Sequence, residues 1–136
     1  MIPVLRAKDG VQFAKIAPAG FRLLAALDKA VLNLNMDLVI TSGTDGEHSG
    51  PADPHHTGEA YDVRSQNISN KNAVLLGVLS QLGHPTPVDG GGYATAFFFG
   101  WLEDAGTPNE HFHFQRRRGV VYPPVQDADL SLQGDV

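Results

Sequence analysis

Apolar residues recur at three- and four-residue steps through Leu23, Leu24, Leu27, Val31 and Leu34, the stripe of an amphipathic helix. Arg22, Asp28, Lys29 and Asn33 fall on its other side. Pro18 stands where a first helical turn accepts proline, and Asn35 suits the helix end. Upstream, Val11 to Ile16 alternates weakly and predicts an edge strand. Downstream, Leu38-Val39-Ile40-Thr41 is a short apolar run that predicts a buried strand. A second stripe, Leu75, Val78, Leu79 and Leu82, predicts another helix, capped by Asn67 or Ser69. Gly83 ends it, and Pro85 and Pro87 block its continuation.

Ala60 to Val63 reads as a short extended segment, and Gly90-Gly91-Gly92 as a connector. Tyr93 to Phe99 and Glu110 to Gln115 predict two strands, joined as a hairpin by the polar loop Glu103 to Pro108. From residue 122 to 136 the chain reads as a loosely packed tail on a single domain spanning 1–136. Helices and strands do not alternate regularly. The pattern predicts an α+β fold, an antiparallel sheet covered by two helices on one face.

The stretch Ser42 to Arg64 fits none of these elements. Its Gly, Pro and Asp content marks a loop, yet it holds His48, His55, His56, Asp53 and Asp62. Asn109 to Phe114 supplies His111, His113 and Glu110. Five of the six histidines thus fall in two short blocks. In an extended segment His111 and His113 share one face while Phe112 and Phe114 share the other. Imidazoles toward a cleft and phenyl rings toward the core is the natural assignment, with Glu110 able to turn in beside them.

Composition sharpens this. The chain has 136 residues and no cysteine, so disulfides, thiolate chemistry and Cys-based metal sites are excluded. Any metal must be held by imidazole and carboxylate. A single histidine is usually a surface or hydrogen-bonded residue, and a histidine pair can form a pH-sensitive patch. Five in two blocks among acids favour a transition-metal site. A net charge of −5 argues against nucleic acid as partner, and the run Arg116-Arg117-Arg118 is too short to reverse that. No apolar run approaches the ~20 residues of a membrane span. No secretory signal is visible, which predicts a cytoplasmic protein or one encoded by a phage and released at lysis. A monomer is expected.

His55-His56-Thr57-Gly58-Glu59-Ala60-Tyr61-Asp62 has the pattern His, two residues, Gly, one residue, Ala, one residue, Asp. Glu110-His111-Phe112-His113 has the companion pattern Glu, two residues, His. Together they resemble the zinc site of the D-alanyl-D-alanine peptidases, a family that includes phage L-alanyl-D-glutamate endopeptidases and shares its fold with the hedgehog signalling domain. The resemblance covers roughly Leu38 to Gln115. It implies a zinc peptidase acting on peptidoglycan stem peptides, with one Zn2+ held by His55, Asp62 and His113. It also implies Glu110 as general base and acid, and His111 as a substrate-facing catalytic histidine. His56 then becomes a neighbour, His48 a loop or cleft-wall residue, and Glu47 and Asp53 turn-forming acids. Trp101 and Tyr93 are expected as core or cleft wall.

Two departures bear on substrate. Relatives often carry Ser-Gly-Tyr-Arg before the histidine, where this chain has Ser42-Gly43-Thr44-Asp45. Many also have Ser or Thr where Asp53 stands. Arg64 or one of Arg116 to Arg118 is then the candidate for the missing cation. Two competing readings are a zinc-stabilised binding module without turnover and an iron-dependent oxygenase, which also uses two histidines and a carboxylate.

Overall fold

The computed structural model describes residues 2–45 and 53–122. Its order is β1 (Leu5–Ala7), α1 (Pro18–Leu34), β2 (Leu38–Ser42), β3 (Ala60–Arg64), α2 (Lys71–Leu79), β4 (Thr86–Pro87), β5 (Tyr93–Ala94), β6 (Phe98–Glu103) and β7 (His111–Arg116). The expected tail lies almost wholly outside the described residues.

The fold is α+β, but its sheet is mixed. Seven strands run in the order β1-β2-β3-β7-β6-β5-β4. β1 pairs with β2 in parallel, and the other neighbours are antiparallel. The wholly antiparallel sheet is therefore corrected. The reason is α1, which lies between β1 and β2 and carries the chain back before the second strand begins, the connection that parallel pairing requires.

The two helices form largely as their stripes predict. Pro18 opens α1, and Asn35 closes it at φ 54°, its N–H reaching Leu32 O and Val31 O. Leu23, Leu27 and Val31 are fully buried, with Leu24 and Leu34 packed at the cluster's edge. The cap of α2 is Asn70, whose side chain accepts from Ala73 N–H at 3.1 Å, rather than Asn67 or Ser69. Asn67 instead takes a left-handed turn at φ 69°. α2 already ends at Leu79, before Gly83.

Two strand expectations change. Val11 to Ile16 is not a strand, because side chains hold it in place of a ladder. Gln12 N–H donates to Asp45 Oδ1 at 3.0 Å and Ala14 N–H to Thr44 Oγ1 at 3.0 Å. Tyr93 to Phe99 breaks in two, because the Thr95 hydroxyl accepts from Phe98 N–H at 3.1 Å and turns the chain between β5 and β6.

Alternation along the central strands separates core from site. Tyr61 and Val63 on β3, with Phe112 and Phe114 on β7, join Leu23, Leu27 and Val31 of α1 and Val74, Val78 and Leu79 of α2 in one buried cluster. Asp62 and His113 consequently face the other way. Gly20 brings α1 against the turn ahead of β3. A Cβ there would lie 1.9 Å from Gly58 O, and Ala17 N–H donates to that carbonyl at 3.3 Å. Gly20→Ala is expected to lower the unfolding free energy by ~1–3 kcal/mol through this overlap. The urea midpoint measures it, and an unchanged midpoint would show that helix and turn separate freely.

Candidate metal centre

The central strands are in register so that Asp62 on β3 stands opposite His113 on β7, which stands opposite Trp101 on β6. The next row on the same face is Arg64, His111 and Glu103. His55 reaches this face from the turn before β3. Asp53 Oδ1 accepts from His55 N–H at 2.9 Å, Gly58 N–H donates to His55 O at 3.1 Å, and Glu59 N–H donates to Pro54 O at 2.7 Å. Asp53 thus forms the turn expected of it. Glu59 pins the turn's far end, since Arg116 Nε donates to its Oε2 at 2.6 Å.

His55, Asp62 and His113 converge. Asp62 Oδ1 lies 2.8 Å from His113 Nδ1 and 3.2 Å from His55 Nε2, and the two ring nitrogens are 3.4 Å apart. Two metal bonds of ~2.0–2.1 Å at a tetrahedral angle place their donors about 3.3 Å apart, so the group fits a small divalent ion. The remaining ring nitrogens confirm the tautomers. His55 Nδ1 faces Gly43 O at 2.9 Å, and a carbonyl can only accept, so the proton sits there. His113 Nε2 faces Gln115 Oε1 at 2.9 Å, while the Gln115 amide donates to Arg116 O at 3.0 Å. The inward nitrogens therefore face Asp62 Oδ1, as lone pairs toward a metal or as donors to the carboxylate when a proton takes the metal's place. Each ring is backed by an acceptor of the kind that orients metal-bound histidines.

The electrostatics call for a positive species at this point. Burial alone would raise the Asp62 carboxyl, but hydrogen bonds from His113 and His55 and their charges outweigh it and hold it well below the usual range. Burial alone would lower His113; the hydrogen bond and charge of Asp62, helped by Gln115, reverse this and raise it. A proton on His113 and a metal ion compete for one place. The group could thus hold a metal.

Glu110 does not belong to this site. It has the strand parity of Phe112, and its carboxylate is held on that side. Oε1 accepts from Ser65 Oγ at 2.8 Å and from Lys71 Nζ, and Oε2 accepts from Gly106 N–H at 2.9 Å. The Lys71 bond, then those of Gly106 and Ser65, lower its pKa to about 2. Glu110, expected to turn in as general base, instead lies where it ties α2 to the β6–β7 connection.

His111 is beside the site, as expected. Its Nε2 lies 3.6 Å from Asp62 Oδ2 and 3.0 Å from Glu103 Oε1, and its Nδ1 donates to Asn109 O at 2.6 Å. Glu103 was read as part of a loop but ends β6, cross-strand from His111, with Oε2 accepting from Trp101 Nε1 at 3.2 Å. Its position two residues beyond Trp101 was the available signal. Gln115 was missed likewise, though it stands two residues beyond His113 on one face. With Asp104, Glu103 and His111 form a second, more exposed group able to approach a cation.

Trp101 is cleft wall, its ring tilted at 36° against His113 with centroids 4.4 Å apart. Tyr93 packs at the edge of the core. His56 is half-buried and outside both candidate groups. His48 and Glu47 lie outside the described residues. Of the arginines, Arg118 lines the cleft, Arg116 is held by Glu59, Arg117 bonds Thr95 O, and Arg64 lines a neighbouring hollow. The cleft itself, about 620 Å³, runs from His55, Asp62 and His113 past Phe99, Trp101 and Glu103 to the turn at Asp89–Gly91. No family model, curated protein or solved structure matches the chain, so its chemistry is read from the site itself.

His113→Ala is expected to abolish tight metal binding, and His56→Ala to preserve it, by metal analysis after dialysis. Acid should weaken the metal through competition at His113. In the metal-free protein the sign is set by two shifts. Raised His113 stabilises below the ordinary imidazole value of ~6.5, and that contribution is lost as pH rises through its folded value; depressed Asp62 stabilises above the ordinary ~3.9 and is lost as pH falls through its folded value. Stability from this pair should therefore peak between ~4 and ~6.5 without metal and decline above that range. Urea midpoints at pH 5, 6.5 and 8, with and without zinc, check this; a metal-free midpoint that rises through pH 8 would contradict it.

Proposed function

We propose that the chain is a zinc-dependent peptidase, related in fold and site to the hedgehog-like D-alanyl-D-alanine peptidases and acting on peptidoglycan stem peptides. The observation that carries this reading is the convergence, among the described residues, of three protein donors, His55, Asp62 and His113, in an open cleft. Three donors leave a position for water, the feature that separates catalytic from structural zinc. Zinc bound there supplies a Lewis acid and a water with pKa near ~7.

The chain's own residues supply the rest. Glu103 lines the cleft and is 41% exposed at its side chain, so it can reach a water and take its proton. His111 and Trp101 each bond one of its oxygens and aim the carboxylate. After attack, the same carboxyl returns the proton to the departing amine. Phe99 and Trp101 form an apolar wall for the substrate backbone.

Glu103→Gln is expected to lower turnover ~10²–10⁴-fold while zinc content stays near one per chain. Glu110→Ala should retain metal, lower thermal stability by loosening α2, and keep measurable turnover. The assay is incubation with zinc and defined stem peptides, reading product masses. The second reading, a zinc-stabilised binding module, is favoured by the locking of the motif acid Glu110 by Lys71. Wild type and Glu103→Gln equally inert toward every stem peptide would support the module, and iron as the dominant native metal would contradict both readings.

A further inference from the structure

We infer that the hollow between Arg6 and Arg64 is a carboxylate-binding site that receives an acidic group of the substrate beside the scissile bond. This rests on the peptidase reading for the substrate, though not for the anion site itself.

The hollow has about 320 Å³ and is lined by Arg6, Asp37, Arg64, Gln66, Asn67 and Ser69, among others. Its two guanidiniums come from different strands of one sheet face. Leu5 packs toward the core, so Arg6 projects to the opposite face, as does Val39, its partner on β2. Arg64 shares strand parity with Asp62. Among the described residues, neither the Arg6 nor the Arg64 side chain has a hydrogen bond or ion pair. The one acid present, Asp37, already accepts Val4 N–H through Oδ1 at 2.8 Å. Two guanidiniums against one carboxylate leave an excess positive charge, with the Asn67 amide and Ser69 hydroxyl also lining the hollow. A carboxylate is the small planar anion that paired guanidiniums recognise.

Position links the hollow to the chemistry. Arg64 stands opposite His111 in the register, one strand away at ~4.8 Å, and two residues along β3 from Asp62. The main cleft has the opposite sign. Asp53, Asp62, Asp89 and Glu103 face it against Arg118 alone, four carboxylates to one guanidinium, and a divalent ion still leaves one negative charge in excess. An acidic substrate group is repelled there and attracted to the Arg6–Arg64 side. The substrate is thus oriented across the metal, its carboxylate toward β1 and β3 and its apolar or amino-bearing part toward Trp101 and Phe99.

The test uses zinc-loaded full-length protein and a matched pair of stem peptides, with the glutamate carboxyl next to the cleaved bond either free or amidated. Wild type should favour the free acid roughly tenfold to a hundredfold in KM. Arg64→Gln and Arg6→Gln should each bring that ratio toward one, whereas Arg22→Gln, exposed on α1, should not. A wild-type ratio near one, or a ratio unchanged in both hollow variants, overturns the inference. If no stem peptide is cleaved, the peptidase reading fails, and the anion site is decided by binding. N-acetylglutamate, but not its diamide, should shift the side-chain Nε–Hε resonance of Arg64 and lose that effect in Arg6→Gln. Absence of any shift overturns the site independently.

Discussion

Asp62 opposite His113, with Val63 opposite Phe112 one residue along, is the pairing on which both the core and the candidate centre depend. Side chains alternate with a period of two, so a slip of one residue in either strand would turn its Phe or Val side chains out of the core and Asp62 or His113 into it. The apolar cluster around Phe112 and Phe114 makes that slip costly, since burying a Phe contributes roughly 1.5–3 kcal/mol. The same packing energy that holds the sheet against the helices therefore places two donors to within the tolerance of a metal ion. The third donor, His55, is supplied by a turn that depends on close backbone approach at Gly20 and Gly58.

The donors also need one another. A buried carboxylate facing two imidazoles is stable only with a positive charge among them, because an isolated buried anion is expensive. Gly43 O and Gln115 Oε1 take the outward protons of the rings and so direct both lone pairs inward. The arrangement leaves the inward place for a proton on His113 or for a metal. It also separates donor atoms from solvent on the core side while keeping the cleft side open.

Much of this was legible in the chain, and the failures have physical causes. The α1 stripe, Asn35 as helix end, and the shared face of His111 and His113 follow from periodicity, which is a local property. The parallel β1–β2 pair was not legible, because three residues at Leu5–Ala7 carry no pattern and their partner lies beyond a helix. Val11 to Ile16 alternates like a strand, but the side chains of Thr44 and Asp45 captured its backbone donors first. The break at Thr95 came from a hydroxyl competing for a backbone N–H, a weak local signal in an otherwise strand-like run. For the site, the grouping of His55, Asp62 and His113 came from the family resemblance of their motifs, whereas Glu103 and Gln115 became visible only once the register was known.

The two acids at the β6–β7 connection show why spacing can mislead about chemistry. Glu110 and His113 are three residues apart, an odd number, so a regular strand sends them to opposite faces. Only a bend ahead of β7 could bring Glu110 round, and here Ser65, Lys71 and the Gly106 N–H hold it where parity puts it. Glu103 is ten residues from His113 along the chain, yet the hairpin folds it back so that it pairs with His111. It lines the cleft, with one oxygen facing the His111 ring and the other accepting from the Trp101 indole N–H. A carboxylate exposed to the cleft can exchange protons with water there, whereas Glu110 is engaged by Ser65, Lys71 and the Gly106 N–H on the helix side. The hairpin, more than the motif, decides which acid faces the cleft.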